Sequence, residues 1–237
     1  MESAKRAATH AANRARITAT ARDLLARDGA SGLSLREVAR EMGQTSSALY
    51  RYFTNRDELL TALIIDAYND LGAAVEAAES VVARADRRER WRVSGFAARA
   101  WAKAHPHEYG LIFGTPVPGY VAPEATIAAA SRITKVLATI VDDAYEGQGP
   151  TPDSVVERAL EWPMVATVMP NVPAPVTARA IIAWTQLFGA ISFELFGHYD
   201  GVVRDLDLMF ALTIDEMAAF VGLPASSRHA SIEPVDS

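Results

Sequence analysis

The side chains best suited to specific chemistry lie between Ser34 and Arg56. This stretch combines cations, hydroxyls, an amide and a phenol, at Arg36, Gln44, Thr45, Ser46, Ser47, Tyr50 and Arg51. These groups donate and accept hydrogen bonds, and no arranged carboxylate pair, zinc signature, phosphate loop or nucleophile elbow accompanies them. The residue types therefore favour non-covalent recognition of a polar partner over catalysis.

Two short helices joined by a tight turn are predicted to position these side chains. Ser34 is a suitable N-cap for a first helix over residues 35–42. The apolar face of that helix comprises Leu35, Val38, Ala39 and Met42. Gly43 ends it, because glycine adopts the left-handed conformation without a steric penalty.

The second predicted helix covers residues 46–52, with Thr45 as its N-cap. It is too short to be stable unless it docks on other elements. Leu49 and Phe53 supply its buried face. The residues left facing outward are Ser46, Ser47, Ala48, Tyr50 and Arg51. This arrangement is a helix-turn-helix, whose second helix can enter the major groove of DNA.

Four side chains around the turn have two interpretations each. Gln44 either hydrogen-bonds an adenine edge or is only solvated, and Ala48 either meets a thymine methyl group or is a spacer. Arg36 and Arg51 either bind phosphate or form surface ion pairs. The functional expectation is base contact at the first two residues and phosphate contact at the two arginines.

A basic segment begins the chain. Residues 1–12 are small and polar, with Lys5, Arg6 and His10 among them. They are predicted to form a flexible arm, which either follows the phosphates or minor groove of DNA or has no role.

A first helix is predicted from residue 13 to residue 27, ended by Asp28-Gly29. Its apolar stripe comprises Ile17, Ala21, Leu24 and Leu25. Arg14 and Arg16 lie at its predicted start, where positive charge opposes the helix dipole. Cations at this position favour an external anion such as phosphate.

Residues 14–60 resemble the DNA-binding domain of the TetR/AcrR family of bacterial transcription regulators. The matching elements are Arg14 with Ile17, Leu24-Leu25 with Gly29, Leu35-Arg36-Glu37-Val38-Ala39, Gly43, Leu49-Tyr50-Arg51-Tyr52-Phe53, Asn55-Arg56-Asp57 and Leu59-Leu60. The resemblance implies that Tyr50 and Arg56 contact phosphates and that residues between the turn and Tyr50 approach base edges. Gln44 replaces the family's usual valine, and Ser46-Ser47-Ala48 also departs from the family pattern.

Composition and charge favour an all-α protein with a basic N-terminal end. Half of the 237 residues are hydrophobic, and alanine-rich helical periodicity dominates. The net charge is −6, yet residues 1–60 hold ten Lys/Arg and seven Asp/Glu, which concentrates positive charge there. The absence of cysteine excludes disulfides, thiolate zinc sites and cysteine catalysis. A cytoplasmic location is expected, because neither a signal peptide nor a membrane span is evident.

One long helix is predicted to connect a DNA-binding domain, residues 13–60, to a second domain, residues 61–223. It runs from residue 56 to about residue 83 and is a natural lever between the domains. The charge run 84–92 is predicted to be a solvated turn and helix start. Residues 224–237 are polar and are predicted to be a disordered tail.

Aromatic residues and proline breaks mark the second domain as a candidate ligand-binding domain. The segment from His105 to Phe113, with its His-Pro-x-x-Tyr element, and Trp184-x-x-x-Phe188-Gly189 resemble elements of one TetR subgroup, with Phe188 replacing a histidine. The candidate pocket residues are Trp101, Tyr109, Phe113, Trp162, Met164, Trp184 and Phe188. Basic residues are scarce among them, so an uncharged, apolar or aromatic effector is expected. No cofactor is predicted, and turn capping by His105 and His107 is favoured over a metal site because no third ligand is evident.

Two strongly apolar segments, residues 177–198 and 205–221, are predicted to be helices of a dimer interface. Each is apolar on nearly all faces and must be covered on all of them. Pairing with the same helices of a second copy, in a four-helix bundle, provides that cover. Gly189 is expected to allow a close helix approach.

The function that these features predict is sequence-specific DNA binding by a homodimer. Two recognition helices related by two-fold symmetry would read a palindromic operator. An effector bound to the second domain would favour a dimer geometry that no longer fits the operator, as in a repressor. An activator of the same fold and a helical enzyme with an incidental helix-turn-helix are the alternatives, the second being the weaker.

Overall fold

The computed structural model describes residues 2–147 and 152–224, which form eleven α-helices, a short 3₁₀ helix and no strand. The helices are α1 Glu2–Gly32, α2 Leu35–Glu41, α3 Ser46–Leu49, α4 Arg56–Ser80, α5 Arg87–Ala104, α6 Pro106–Phe113, α7 Ile127–Ala144, α8 Ser154–Ala159, α9 Trp162–Val168, α10 Ala174–Leu195 and α11 Leu206–Phe220. The 3₁₀ helix, Glu124–Thr126, precedes α7. The all-α prediction is confirmed. The predicted tail lies, from residue 225 onward, outside the described residues.

The chain forms two compact units whose boundaries differ from the predicted domains. The N unit comprises the chain up to Asp70 together with His105–Ala130, and the C unit comprises Leu71–Ala104 and the chain from Ser131. The boundary therefore falls inside α4, and residues 105–130 do not group with the second domain as predicted.

The regrouping of residues 105–130 has a physical cause in the N unit. Leu111, Val117 and Tyr120 pack against the core of the helix-turn-helix. The Tyr120 hydroxyl lies 2.9 Å from the Thr61 hydroxyl on α4. Tyr109, predicted to line a ligand pocket, is fully buried in this unit. These contacts join residues far apart in the chain, so local pattern did not indicate them.

The first helix is longer than predicted. α1 begins at Glu2, so the segment predicted to be a flexible arm is helical, as its run of alanines favours. Gly29 has a φ of 73° and interrupts the helix at the predicted end, and one further helical turn follows to Gly32. Arg14 and Arg16 consequently lie in the middle of a helix, so the prediction that their charges oppose the dipole at a helix start was wrong.

The helix-turn-helix forms largely as its sequence indicates. The Ser34 hydroxyl accepts a hydrogen bond from the Glu37 amide at 3.2 Å, which caps α2, and Gly43 has a φ of 63°. Leu49 and Phe53 are completely buried. α3 ends at Leu49, three residues early, and Tyr50 to Tyr52 form a turn. Thr45 occupies the N-cap position, but its side chain makes no capping bond.

Three helices form the core of the C unit. α5, α10 and α11 pack against one another, and the Trp91 indole donates to the Ile214 carbonyl at 3.2 Å. Gly95 permits the close approach of α5 to α11, because a Cβ there would lie 2.5 Å from the Ile214 Cδ1 atom. Of the two predicted interface helices, the first begins slightly earlier than predicted and the second matches closely.

One prediction for the C unit was partly wrong. The charge run 84–92 is not simply solvated, because Arg90 is buried and donates to Glu79 at 2.5 Å and to Asp143 at 2.6 Å. Arg84 donates to the same aspartate at 2.7 Å. Burial acts to raise the pKa of Asp143, but the hydrogen bonds from the two arginines outweigh it, and the pKa lies below its usual value.

Among the described residues, α10 alone has the length and apolar composition of a membrane-crossing helix. Its most apolar window is 44% buried within the protein. It carries Glu194, which accepts a bidentate hydrogen-bond pair from Arg99 of α5, at 2.6 and 2.8 Å. A buried ion pair and contacts with α5 and α11 are features of a core helix.

Candidate DNA-binding and effector sites

The turn between α2 and α3 presents a polar, exposed surface on a buried scaffold. Gln44, Thr45 and Ser47 are exposed, and Ser46 and Ala48 are half-buried. Tyr50 is 49% exposed. Of the five residues predicted to face outward, Ser47, Tyr50 and Arg51 are exposed, whereas Ser46 is half-buried and Ala48 is half-buried and packs against the core. The donors and acceptors of the exposed residues are accessible to a partner.

Arg36 and Arg51 are two of the exposed cations near this turn. Arg36 lies in the first turn of α2. The Arg51 guanidinium lies 5.9 Å from the centre of the Tyr52 ring. Their exposure permits phosphate binding, which stays a prediction.

Arg14 was predicted to contact phosphate, and the structure shows that it also has a structural role. Its guanidinium donates to the Tyr52 carbonyl at 2.6 Å and to Glu58 at 3.2 Å. It also lies 4.0 Å from the centre of the Phe53 ring. Arg14 thus ties α1 to the end of the α3 turn and to the start of α4.

Arg56 is likewise held by the N unit itself. Its Nε donates to the Leu33 carbonyl at 2.9 Å, and its Nη2 donates to the Ala30 carbonyl at 2.8 Å. These bonds fasten the last turn of α1 and the following residue Leu33 to the start of α4. Arg56 therefore positions the helix-turn-helix, and a phosphate contact through the rest of the guanidinium stays a prediction.

Asn55 and Glu58, for which no contact was predicted, also fix the start of α4. The Glu58 carboxylate accepts from the Thr54 amide at 2.7 Å, and Asn55 accepts from the Glu58 amide at 2.8 Å. The backbone hydrogen bond from Thr54 is the main cause of a lowered pKa of Glu58. The Asn-x-x-Glu spacing before an apolar run is a capping signal, so this contact was detectable from sequence.

An apolar cavity lies within the C unit. It opens partly to solvent and has a volume of about 50 Å³. Its lining residues are Trp91, Thr134, Leu137, Ala138, Val141, Met169, Ala180, Ile181 and Trp184. No charged side chain is among these described residues. The Trp184 indole Nε1 is buried and has no hydrogen-bond partner among the described residues. The cavity is therefore apolar, and one of its lining side chains has an unsatisfied donor.

The candidate pocket residues are not brought together as predicted. Of them, only Trp184 is among the described residues that line the cavity. Trp101 and Phe188 are buried elsewhere in the C unit, whereas Tyr109 and Phe113 belong to the N unit, with ring centres 5.1 Å apart. The side chains of Trp162 and Met164 lie outside the described part of the structure. Aromatic content alone did not separate core residues from cavity walls, and the lining residues of α7 were missed.

Comparison with known proteins identifies the family. Residues 17–63 match the family described as bacterial regulatory proteins, tetR family, and residues 91–217 match the tetracyclin repressor-like C-terminal domain. The HTH-type transcriptional regulator Rv1816 of Mycobacterium tuberculosis is 34% identical over 192 residues, which cover 78% of this chain and 81% of that protein. The chain belongs to the TetR family.

Solved structures agree with this membership. The crystal structure of the regulatory protein SCO4313 superposes with a TM-score of 0.73 at 33% identity, over 89% of this chain and 97% of that one. PfmR of Thermus thermophilus, at 20% identity and a TM-score of 0.56, shares the fold over 85% of this chain and 96% of its own. The protein is a DNA-binding transcription regulator of the TetR family, and that family is not one of enzymes.

The histidines of the His-Pro-x-x-Tyr element belong to the N unit of this TetR-family chain. His105 occupies the N-cap position of α6, and Pro106 begins the helix. The His105 side chain makes no capping bond, so its predicted capping role was wrong. His107 is exposed. The described residues contain no group of three or more side chains suited to holding a metal ion.

Proposed function

We propose that this TetR-family protein is a homodimeric repressor that binds a palindromic operator and is released by a small uncharged effector. The observation that carries the proposal is the exposed turn from Gln44 to Arg51, held on a buried scaffold. A cytoplasmic location, without membrane attachment, follows from the proposal because the operator DNA lies there.

Base contacts are assigned to the turn and to the start of α3. Gln44 can hydrogen-bond an adenine edge, and Ala48 can meet a thymine methyl group. Thr45, Ser46 and Ser47 supply hydroxyls at the same surface. Because these residues are exposed or half-buried, they can reach base edges without unfolding the helix-turn-helix.

Phosphate contacts are assigned to residues around this surface. Tyr50, Arg51 and Arg36 have the necessary exposure. Ser34 already caps α2 through its hydroxyl, so any phosphate contact there is secondary. Arg14 and Arg56 act mainly by holding the frame.

The proposed dimer interface consists of exposed residues on α10 and α11. On α10 the spacing of Ile182, Gln186, Gly189, Phe193 and Phe196 places them on one face. Ile182, Phe193 and Phe196 are 52%, 50% and 48% exposed, which is unusual for large apolar side chains side by side.

Gly189 and α11 support the same interface. A Cβ at Gly189 would meet no atom within 4 Å, so the expected close approach does not occur within one chain, and space is left for a second copy. Leu208, Leu212 and Phe220 extend the exposed apolar surface on α11, with exposures of 57%, 51% and 38%. An isologous pairing of these two helices with their copies would cover both.

The effector is assigned to the apolar cavity of the C unit. An ionised ligand would lose its hydration there without gaining an opposite charge. The unsatisfied Trp184 indole donor favours a ligand with one hydrogen-bond acceptor on an apolar body. Such a ligand lowers operator affinity only to the extent that it binds the DNA-incompatible state more tightly.

Selection of DNA from a random duplex library, followed by footprinting of the selected site, tests the DNA-binding proposal. We expect a two-fold symmetric protected site with half-sites about one helical turn apart. Tyr50→Phe is expected to weaken binding to the selected site and to unrelated duplex by a similar factor. Enrichment of no sequence, or of an asymmetric site, would refute the homodimeric repressor proposal.

Three probes of similar size test the cavity: acetophenone, ethylbenzene and benzoate. Titration calorimetry is expected to give the tightest binding for acetophenone, which has an acceptor and no charge. Trp184→Phe removes the indole N–H, and the affinity ratio of acetophenone to ethylbenzene should fall by roughly 3- to 10-fold, the usual value of one hydrogen bond. Preferred binding of benzoate, or an unchanged ratio, would contradict the assignment.

A further inference from the structure

The N-terminal extension of α1 is a feature that the helix-turn-helix itself does not require. α1 begins at Glu2, about three turns before Asn13. Lys5, Arg6 and His10 are all exposed along it. A helix fixes the positions of its side chains relative to one another, so Lys5, Arg6 and His10 have a defined arrangement. A flexible arm would not fix it.

Two contacts fix the extension beside α3. The His10 ring lies 4.8 Å from the Tyr52 ring, measured between centres. The Asn13 side-chain amide donates to the Tyr52 hydroxyl at 2.9 Å. Tyr52 is only two residues from Tyr50 in the turn that follows α3, so the extension is attached to the DNA-reading segment.

The exposed turn from Gln44 to Arg51 is called the reading surface below. A small polar cleft shows which side of α1 faces it. It is lined by Asn13, Ile17, Met42, Gln44, Arg51 and Tyr52. The side of α1 that carries Asn13 and Ile17 therefore faces Gln44 and Arg51, two of the residues assigned to DNA.

Helical periodicity carries Arg6 to that same side. Residues 6, 10, 13 and 17 are spaced by four, three and four positions and share one face of α1. At about 1.5 Å per residue, Arg6 lies roughly 6 Å beyond His10 along the axis. Lys5 is adjacent. The extension thus continues the reading side of the N unit past the edge of the helix-turn-helix.

The charge of this segment matches a polyanion. Residues 2–16 contain the exposed cations Lys5, Arg6 and Arg16 and the partly buried Arg14, against the single acid Glu2. The protein as a whole has a net charge of −6. An excess of exposed cations next to the reading surface therefore complements a phosphate backbone more closely than an acidic copy of the same chain.

We propose that the helical extension of α1 binds phosphates of the duplex flanking the bases read by α3, through Lys5 and Arg6. His10 and Asn13 act as positioning residues that hold the extension against Tyr52. The proposal rests on operator binding by a dimer, and it adds a second, sequence-independent DNA contact in each subunit.

The salt dependence of DNA binding tests this proposal on the full chain. The probe is the duplex selected from the random library, extended on both sides, and the variant is Lys5→Ala/Arg6→Ala. Alanine keeps the helix. Four phosphate contacts would be lost across a dimer, so the slope of log affinity against log salt should become shallower by about 3 to 4. Affinity for unrelated duplex should fall by a similar factor, because phosphate contacts carry no sequence information.

The control is Lys135→Ala/Arg158→Ala, which removes the same charge from exposed positions of the C unit. It should leave the slope within about 1 of that of the unchanged protein. Equal slopes for the two double variants would overturn the proposal, even if wild-type DNA binding is strong. If the wild-type chain binds no selected duplex, the proposed repressor function fails instead.

The positioning role has its own measurement. Asn13→Ala removes the hydrogen bond to Tyr52, and amide hydrogen exchange of residues 2–12 should then become faster while the exchange of α2 and α4 is unchanged. In a double-mutant cycle, Asn13→Ala should weaken DNA binding in the wild-type background and have little effect in the Lys5→Ala/Arg6→Ala background. Additive effects in the cycle would remove Asn13 from the proposal.

Discussion

Three arginines near the helix-turn-helix have the same charge and different surroundings. Arg14 and Arg56 are partly buried and donate to backbone carbonyls of the N unit. Arg51 is exposed and lies beside the α3 turn. The bonds of the first two hold the helix-turn-helix in place, whereas Arg51 is accessible to a partner.

Replacement of Arg51 and Arg56 separates these two roles. Arg56→Ala removes two charge-assisted hydrogen bonds and should cost about 2 kcal/mol of unfolding free energy, with a lower melting temperature. Arg51→Ala should leave the melting temperature nearly unchanged and make the salt slope of DNA binding shallower by about 1 per subunit. Calorimetry and salt titration measure both quantities. A stable Arg56→Ala protein with a reduced slope would restore Arg56 as a phosphate contact.

The types of the site residues could be predicted from the sequence, and their partners could not. Ser34 and Gly43 act through bonds and dihedrals within a few residues, so local pattern was enough. Arg14 bonds to Tyr52, which is 38 positions away. Such a partner depends on how α1 packs against the turn after α3. For the same reason, the sequence around Arg56 did not indicate that this arginine donates to the Leu33 and Ala30 carbonyls.

The turn between α2 and α3 depends on one glycine conformation. Gly43 has a φ of 63°, and a Cβ placed there would meet no atom within 4 Å. The cost of a substitution is therefore the backbone conformation alone. Gly43→Ala should destabilise the N unit by about 1 to 2 kcal/mol, and Gly43→Asn by less, since asparagine tolerates this region. Thermal unfolding of both variants measures the difference, and equal losses would show that a side-chain clash contributes.

A buried ion pair joins α5, α10 and α11 in the C unit. Arg99 donates to Glu194 and lies 2.7 Å from Asp207 at the start of α11, and Lys103 lies 3.0 Å from Glu194. Burial acts to raise the pKa of Glu194, but the hydrogen bonds from Arg99 and Lys103 outweigh it and lower the pKa. The charged form is therefore favoured by folding.

The lowered pKa of Glu194 gives stability a defined dependence on pH. Stability from this group is complete above the pKa of the unfolded chain, about 4.3, and is lost as pH falls through the lower folded value. Glu194→Gln should lower the melting temperature at neutral pH and make its decline in acid shallower. Glu146→Gln, at an exposed position of the C unit outside α10 and α11, is the control. Parallel acid profiles for wild type and Glu194→Gln would contradict the ion-pair argument.

At the level of elements, the positions of most helices could be predicted from the sequence, and the assignment of helices to the two units could not. The apolar period and the caps located α2, α10 and α11 closely. α1 extended to Glu2 because alanine content outweighed the small polar residues that suggested an arm. The assignment of residues 105–130 to the N unit depends on Leu111 and Tyr120 packing against its core. No local period distinguishes that packing from a place in the ligand-binding domain.

At the level of the whole molecule, the exposed apolar surface on α10 and α11 is the feature that a single chain leaves unexplained. Large side chains such as Phe193 and Leu212 are about half exposed, and their exposure lowers the solubility of a monomer. The two-fold symmetry of a DNA palindrome requires two reading surfaces, and this surface can supply the pairing. Dimerisation and operator binding should therefore fail together.

Leu212→Glu tests that coupling. The charge is placed in the middle of the proposed interface, at a position 51% exposed in one chain, so folding of the monomer should survive. A desolvated carboxylate facing its own copy is strongly unfavourable, and sedimentation should show a monomer at concentrations where the wild type is a dimer. Val121→Glu, at an 86% exposed position of the N unit, introduces the same charge and should remain dimeric.

Operator affinity should fall by a factor of at least about 100 for Leu212→Glu, because one helix-turn-helix reads only half of the site and loses the gain from bivalent binding. A dimeric Leu212→Glu protein with intact operator binding would show that the two copies pair through another surface.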